Sequence, residues 1–325
     1  MRVGVSGLVR ANSGVGVIQR EVHPRLARVA EQVESPTRDP GGRGAPLFGL
    51  LAGLRPPPRL DGYFCSVSPL PLMVRRAQRV VVIVHDLRWM RNAGRLKRAY
   101  RAWDLGRVVR SADVIVCVSE RTRVDLISEF PEAAGAAVVA WLGPGIVTED
   151  AWSDGTPGSA LLIGSGPHKR NELAAELIAQ VGQEVVSSVV GVNVSEETQT
   201  ICRAALGPDR CQFFGRVSDD VLRRLYADTQ FYLHLGTDEG FGLPYVEALA
   251  SGCLVVAVDQ VLTREVLGDA AIFVPDSDAK GMATAWAARP LPTAQQRREI
   301  AQRYSWDGFT GVVADGLGLS VESKE

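Results

Sequence analysis

Short apolar runs of strand length alternate with longer amphipathic stretches along the chain. The runs place Val, Ile and Leu at consecutive positions, as in Arg79–Val84 and Cys253–Val258, which is typical of parallel strands buried on both faces. The intervening stretches repeat apolar positions every three to four residues, as amphipathic helices do. Because this alternation occurs in both halves, we predict an α/β chain with two doubly wound parallel sheets.

The same pattern places the individual elements. It predicts strands at Arg2–Ser6, Gly62–Ser66, Arg79–Val84, Asp113–Val118, Ala160–Gly164, Glu184–Val190, Cys211–Phe214, Gln230–Leu235, Cys253–Val258 and Ala271–Val274. It predicts helices at Val15–Val33, Asn92–Val109, Glu120–Glu129, Asn171–Val181, Glu196–Leu206, Asp219–Asp228 and Leu243–Ala250. A last helical pattern over Thr293–Gly316 contains Tyr304 and Trp306, so it needs an apolar surface to pack against.

Length and linker composition predict the domains. A chain of 325 residues suits two domains of about 150 residues each. Gly and Pro are frequent in residues 141–158, as in an interdomain linker. We therefore predict domains over residues 1–150 and 151–295, followed by a closing segment of residues 296–325. Pro and Gly also interrupt residues 36–58, which are expected to form a surface loop.

Composition excludes several classes of protein. The chain is 46% hydrophobic and 22% charged, and no run approaches the roughly 20 apolar residues that span a bilayer. The first residues, MRVGVSGLVRANSG, lack the layout of an export signal, so we expect a cytoplasmic protein. The five cysteines are scattered and form no CxxC pair, which argues against a disulfide framework and a zinc site.

Charge is distributed unevenly. Residues 1–150 carry 22 Lys and Arg against 14 Asp and Glu, a net charge of +8, and the remainder carries −9. A basic half attracts anionic partners. Within it, residues 88–110 hold eight basic residues, one acid and three aromatic residues. Two interpretations stay open: a helix that makes weak peripheral contact with a membrane surface, or, preferred here, an amphipathic helix that packs Leu96, Tyr100 and Trp103 on the core. No nucleic-acid module accompanies the charge, and no such partner is expected.

The segment Gln230–Asp259 predicts a ligand site. A buried strand ends at Leu235, a glycine-rich loop follows, and Pro244 opens a helix that Gly252 closes. Parallel sheets bind ligands at the carboxyl ends of their strands. Free backbone N–H groups at such a helix start favour a phosphate or a developing negative charge.

Two carboxylates, Glu239 and Glu247, flank this predicted anion site. Carboxylates repel phosphate and pair instead with hydroxyl donors, so a ligand with phosphate in the middle and hydroxyl groups at both ends fits. Such a ligand is a sugar nucleotide. Each glutamate alone could be a loop acid or a favourable helix charge, and the combination favours the ligand.

Residues 239–259, EGFGLPYVEALASGCLVVAVD, resemble the E-x7-E segment of glycosyltransferase family 4. Five further segments resemble the same family in chain order: residues 111–130, 161–178, 211–236, 268–278 and 304–310. The resemblance covers about residue 80 to the end and fails over residues 35–75. It implies a retaining enzyme of the GT-B fold, with two facing Rossmann-like domains and a C-terminal crossover helix that packs back on the first domain.

The resemblance also implies roles for individual residues. Glu239 would contact the hexosyl hydroxyls and Glu247 the ribose hydroxyls. Phe241, Gly242 and Leu243 would contact the donor by their backbone, and Lys169 and Arg170 would be the cations for the diphosphate, since the family often has Arg where this chain has Ser165. Arg216 and Val217 would lie at the nucleobase. Gly14 and Gly16 would form an N-terminal turn that faces the donor phosphate. His85 follows a buried strand as HDL does in the family and would line the reaction centre together with Glu239.

The implied reaction is displacement with retention at the anomeric carbon, in which the leaving phosphate helps to deprotonate the acceptor. We expect no cofactor and no metal ion, because Asp276–Asp278 suits a turn and no convincing metal-ligand spacing occurs. His23, His168 and His234 are expected to be packed or solvated. A GDP-mannose-like or deoxysugar donor is weakly favoured, and the basic half predicts an anionic acceptor. The alternative is a non-catalytic protein that binds a sugar nucleotide or a glycan.

Overall fold

The computed structural model describes residues 1–5, 14–34, 60–66, 77–88, 90, 94–146 and 152–319. The chain divides into two compact units: Met1–Gly145 together with Ser305–Glu325, and Ile146–Tyr304. These boundaries differ from the predicted ones, because Ile146 and residues 296–304 lie in the second unit. Arg223 holds Ile146 there through a hydrogen bond to its carbonyl at 2.6 Å, and Arg297 donates to Asp154 at 3.0 Å.

The first unit contains a parallel six-stranded sheet. Its strands are β1 Arg2–Val5, β2 Glu31–Glu34, β3 Gly62–Cys65, β4 Arg79–Val84, β5 Val114–Cys117 and β6 Ala137–Val139, in the order β2-β1-β3-β4-β5-β6. The accompanying helices are α1 Gly14–Leu26, α2 Arg95–Ser111 and α3 Glu120–Glu129. The strand order reverses between β1 and β3, where a ligand crevice forms in open sheets of this kind.

The second unit repeats the architecture. Its strands are β7 Thr156–Ile163, β8 Ser188–Val192, β9 Cys211–Phe214, β10 Thr229–His234, β11 Leu254–Val258 and β12 Ala271–Val274, all parallel in the order β12-β11-β10-β7-β8-β9. Its helices are α4 Asn171–Val181, α5 Glu196–Leu206, α6 Asp219–Ala227, α7 Leu243–Ser251, α8 Val261–Leu267, α9 Ala279–Ala287 and α10 Ala294–Ala301. This is the Rossmann strand order, with its reversal between β7 and β10.

The chain then returns to the first unit through helix α11, Trp306–Leu317. Phe309, Val313 and Leu317 are fully buried in α11, and the indole N–H of Trp306 donates to the Pro144 carbonyl at 2.8 Å. The predicted pattern over Thr293–Gly316 is therefore two helices, because Ser305 ends the first stretch and caps the second through the N–H groups of residues 307 and 308.

Most predicted elements are confirmed, and the errors have local causes. The helix predicted over Val15–Val33 ends at Leu26, and Glu31–Glu34 pairs with β1 as an edge strand. Its sequence EQVE gives no apolar run to mark it. The apolar pattern does not predict strand β6 or helices α8 and α9. No helix in the described part of the chain is long and apolar enough to span a membrane.

Candidate active site

The loops at the reversal point of the second sheet bring predicted site residues together. Strand β7 ends at Ile163 and strand β10 at His234, and the loops that follow them lead into α4 and α7. Asn171, the first residue of α4, donates from its side-chain amide to the carbonyls of Ile163 and Gly164, which fixes the first loop against the strand end. Two helix N-termini thus flank one strand-end crevice, an arrangement that favours an anionic ligand.

Lys169 and Glu239 form an ion pair across these loops. The Lys169 ammonium donates to Oε1 of Glu239 at 2.7 Å, and the two side chains are 19% and 11% exposed. Because the pair is largely withdrawn from water, its attraction is screened less than that of a surface pair. The two residues predicted to meet the diphosphate and the hexose therefore contact each other.

His234 contacts the same glutamate. Its Nε2 lies 3.3 Å from Oε1 of Glu239, its Nδ1 lies 3.2 Å from the hydroxyl of Tyr232, and its ring stacks on Tyr245 with centroids 4.4 Å apart. Burial lowers the pKa of His234 and outweighs the effect of Glu239, so the ring is neutral at pH 7. A neutral ring that donates from Nε2 to a carboxylate accepts at Nδ1, and Tyr232 is then the donor to it.

The electrostatics keep Glu239 ionised. Burial acts to raise the pKa of this carboxyl, but the hydrogen bond from His234 and the charge of Lys169 outweigh burial and hold the pKa well below its usual range. The carboxylate can accept hydrogen bonds from ligand hydroxyls and can stabilise positive charge that develops at an anomeric carbon.

Glu247 lies on helix α7 and is 7% exposed. It accepts a hydrogen bond from the hydroxyl of Tyr226 at 3.3 Å. Burial raises the pKa of Tyr226 well above its usual value, and the neighbouring Glu247 adds to the effect, so the phenol remains a donor. The carboxylate predicted to contact ribose is thus positioned by a buried tyrosine.

The remaining donor residues occupy different surroundings. Arg170 donates to Asp276 at 2.8 Å in a pair whose side chains are 29% and 59% exposed. Ser165 is exposed on the loop after β7. Gly242 and Leu243 stand at the start of α7, while the ring of Phe241 is buried against Tyr304 at 5.7 Å. Arg216 and Val217 follow β9, at the sheet edge two strands away from β7.

The first unit has its own polar cluster at the carboxyl ends of β3 and β4. Nε2 of His85 donates to the Ser66 carbonyl at 2.7 Å, and the buried Gln19 of α1 donates to the Ser66 hydroxyl at 2.8 Å. Burial lowers the pKa of His85, so a neutral ring presents Nδ1 as an acceptor. Helix α1 begins at Gly14, and Gly16 is buried in its first turn; the loop that precedes it lies outside the described residues.

Sequence reasoning missed His234, Tyr232 and Tyr245 as site residues. His234 is packed, as expected of it, yet it also contacts Glu239. The available signal was the alternation in β10: Phe231 and Leu233 join the apolar core, whereas Tyr232 and His234 point to the other face. Residues Asp276–Asp278 form the predicted turn before α9, and Asp278 caps that helix by accepting from the N–H of Gly281 at 2.9 Å.

Comparison with known proteins finds similarity to glycosyltransferases. Residues 161–288 match the family model of glycosyl transferases group 1, and this stretch includes both Lys169 and Glu239. The fold is the GT-B fold, as the resemblance to glycosyltransferase family 4 implies. HepE of Anabaena, solved in complex with UDP-glucose, matches 98% of this chain and 99% of its own with a TM-score of 0.71 and 14% identity. WaaG, a glycosyltransferase involved in lipopolysaccharide biosynthesis, matches 96% and 98% with a TM-score of 0.67 and 14% identity.

Two curated relatives are mannosyltransferases. The O-antigen chain mannosyltransferase RfbU of Salmonella typhimurium is 32% identical over 114 residues, which are 34% of this chain and 32% of the relative. The phosphatidyl-myo-inositol mannosyltransferase of Mycolicibacterium smegmatis is 44% identical over 78 residues, 23% of this chain and 20% of the relative. The alignments thus span about a third or less of these relatives.

Proposed function

We propose that this chain is a retaining glycosyltransferase that moves a hexosyl unit from a nucleotide diphosphate sugar to an acceptor. The observation that carries the proposal is the Lys169–Glu239–His234 cluster, in which His234 is buried and the other two are partly buried; it lies between two helix N-termini at the strand-order reversal of the second sheet. Phosphate suits the helix N-termini, and sugar hydroxyls suit the ionised Glu239.

The two predicted diphosphate cations have different roles in this proposal. Arg170 belongs to a surface pair, and such pairs contribute only about 0–1 kcal/mol, so a diphosphate can readily replace Asp276 as its partner. Lys169 is more enclosed and stays near Glu239, where it keeps the carboxylate ionised beside a developing cation. The proposal assigns no metal ion to the diphosphate, because these cations and the helix N-termini supply the positive charge.

The charge of the first unit and its polar cluster around His85 indicate what this unit does in the proposed reaction. We assign the acceptor to this unit and give His85 a place at the reaction centre, with Nδ1 free of the Ser66 bond. The net charge of +8 over residues 1–150 favours an anionic acceptor. No side chain is assigned as a nucleophile; the leaving phosphate would take the acceptor proton. All five cysteines are free thiols, which suits the reducing cytoplasm proposed as the location.

The donor sugar is proposed as mannose-like, because the names of the two curated relatives specify mannosyl transfer. The neighbour solved with UDP-glucose supports a nucleotide sugar in general. At 14% identity its fold carries over and its choice of sugar and base does not.

The test combines donor binding with transfer. Thermal-shift screening against UDP, GDP, ADP and dTDP, with and without their sugars, should single out one nucleotide, since a ligand at 100 times its Kd adds about 2.7 kcal/mol. With that donor, Glu239→Gln should lower transfer by about a hundredfold or more, whereas the matched variant Glu176→Gln, at an exposed position of α4, should retain it. EDTA should leave the rate unchanged, and added salt should slow transfer to anionic acceptors.

Two results would reject the proposal. Full transfer by Glu239→Gln would remove the proposed role of this carboxylate. A wild-type protein that is stabilised by a nucleotide sugar but never releases nucleotide, across a panel of neutral and anionic acceptors, would instead be a binding protein of the same fold.

A further inference from the structure

Helix α2 exposes large apolar side chains. Leu96 is 89% exposed, Trp103 50% and Tyr100 39%. At about 100° per residue these three positions fall within an arc of about 60° on the helix. The rings of Tyr100 and Trp103 lie together, with centroids 6.2 Å apart. The helix therefore carries a continuous apolar stripe in contact with solvent, which we call the α2 stripe.

The α2 stripe points away from the core of its unit. Leu105, Val108 and Val109 pack in the apolar cluster under the sheet, and on a helical projection they lie on the side opposite the stripe. The interpretation in which Leu96, Tyr100 and Trp103 pack on the core is therefore wrong. It failed because the spacing shows which residues share a face but not which face is buried.

Basic side chains flank the α2 stripe. Arg95 and Lys97 are exposed on either side of the stripe, and residues 95–103 contain no acid. The first acid of the helix, Asp104, is buried and paired with Arg107 at 2.7 Å. Trp89 and Arg91, grouped with this basic stretch in the sequence, lie outside the described residues. The surface thus combines an apolar centre with a positive border, on a half of the chain that carries a net charge of +8.

We propose that the α2 stripe docks on an anionic lipid bilayer, with Leu96, Tyr100 and Trp103 inserted at the interface and Arg95 and Lys97 beside the headgroups. An aromatic and aliphatic face with a basic border is the arrangement that holds a helix in the plane of a membrane surface. Cations near an anionic membrane surface strengthen such binding. A nucleic acid would use the cations but would gain nothing from the exposed leucine, so lipid is favoured.

The inference does not rest on the proposed transfer reaction, because binding to vesicles needs neither donor nor acceptor. The full chain is sedimented with vesicles of phosphatidylcholine alone and of phosphatidylcholine mixed with phosphatidylglycerol. We expect binding to the anionic vesicles, weaker binding to the neutral ones, and loss of binding as salt is added. The tryptophan emission should shift to the blue on binding, and Trp103→Phe should remove most of that shift.

Two variants separate the apolar and electrostatic parts. Leu96→Ser with Trp103→Ser should lower the partition onto anionic vesicles by about tenfold or more, and Arg95→Gln with Lys97→Gln should reduce its salt dependence. The matched control is Leu291→Ser, which changes a leucine that is 49% exposed in the second unit and should bind as the wild type does. Circular dichroism checks that each variant stays folded.

Three outcomes would overturn the proposal. The wild type could fail to bind anionic vesicles at low salt. The serine variant could bind as tightly as the wild type, which would leave only a general anion-binding surface that nucleic acid could equally occupy. Leu291→Ser could weaken binding as much as the stripe variant, which would show that the effect belongs to any exposed leucine.

Discussion

The candidate site depends on one carboxylate with two different partners. Lys169 supplies a charge to Glu239 at 2.7 Å, and His234 supplies a neutral N–H at 3.3 Å. Sequence reasoning could name Glu239 and Lys169 but could not predict that they pair, because 70 positions separate them and only the approach of two loops brings them together. The same holds for Tyr226 and Glu247, whose contact depends on how α6 and α7 pack.

His234→Leu should raise the pKa of Glu239. The substitution removes the N–H donor that favours the ionised form, and this effect is part of what holds the pKa below its usual range. The acid limb of the pH–activity profile should therefore move to higher pH than in the wild type. His234→Gln retains an amide donor and should move it less. Profiles of kcat/KM that coincide for wild type and His234→Leu would rule out this positioning role.

The free energy of unfolding should also depend on the ionisation of Glu239. Because the folded-state pKa of Glu239 is lowered, its ionisation stabilises the fold fully above the unfolded-state pKa near 4.5 and less as pH falls below that value. In His234→Leu the pKa of Glu239 lies closer to the unfolded-state value, so the acid-dependent loss is smaller. Thermal unfolding between pH 3 and pH 7 measures the difference, and a steeper loss in the variant would contradict it.

At the scale of elements, the start of helix α7 is built on Gly242. This residue has φ +85°, and a Cβ there would lie 2.4 Å from Cδ2 of Tyr245, the ring that stacks on His234. The sequence predicted the loop, the helix start and its closing Gly252. It could not show that Gly242 also leaves room for the tyrosine, since that contact depends on where the side chain of Tyr245 points.

Gly242→Ala should destabilise the second unit by about 1–3 kcal/mol, because a non-glycine residue is strained at this φ, and it should weaken nucleotide binding as α7 shifts. The matched change, Gly311→Ala in α11, meets nothing within 4 Å and should stabilise by about 0.5–1 kcal/mol, as alanine is the better helix former. Denaturant midpoints measure both. Equal effects of the two variants would show that backbone conformation at Gly242 has no special role.

The two units of the molecule are not two consecutive halves of the chain, because the C-terminal residues belong to the first unit. Two sheets could be predicted because apolar strand runs alternate with helical stretches in both halves of the chain, and this pattern can be recognised from neighbouring residues alone. The unit boundaries were harder, because α10 and α11 form one continuous helical pattern in sequence and belong to different units. Only the break at Ser305 and the buried contacts of Trp306 and Phe309 separate them.

This division predicts how the molecule unfolds. Each unit has its own apolar core, with Phe309 of α11 buried in the first and Phe273 of β12 buried in the second, and proteins of two domains often depart from two-state unfolding. Phe309→Ala and Phe273→Ala should each cost about 3–5 kcal/mol. Hydrogen exchange resolved along the chain measures the protection of backbone amides. Phe309→Ala should lower protection in β3 and β4, which precede it by more than two hundred positions, and leave β10 and β11 protected. Phe273→Ala should lower protection in β10 and β11 and leave β3 and β4 protected. Uniform loss of protection in both variants would mean that the two units unfold as one, and that the return of the chain through α11 couples them into a single cooperative structure.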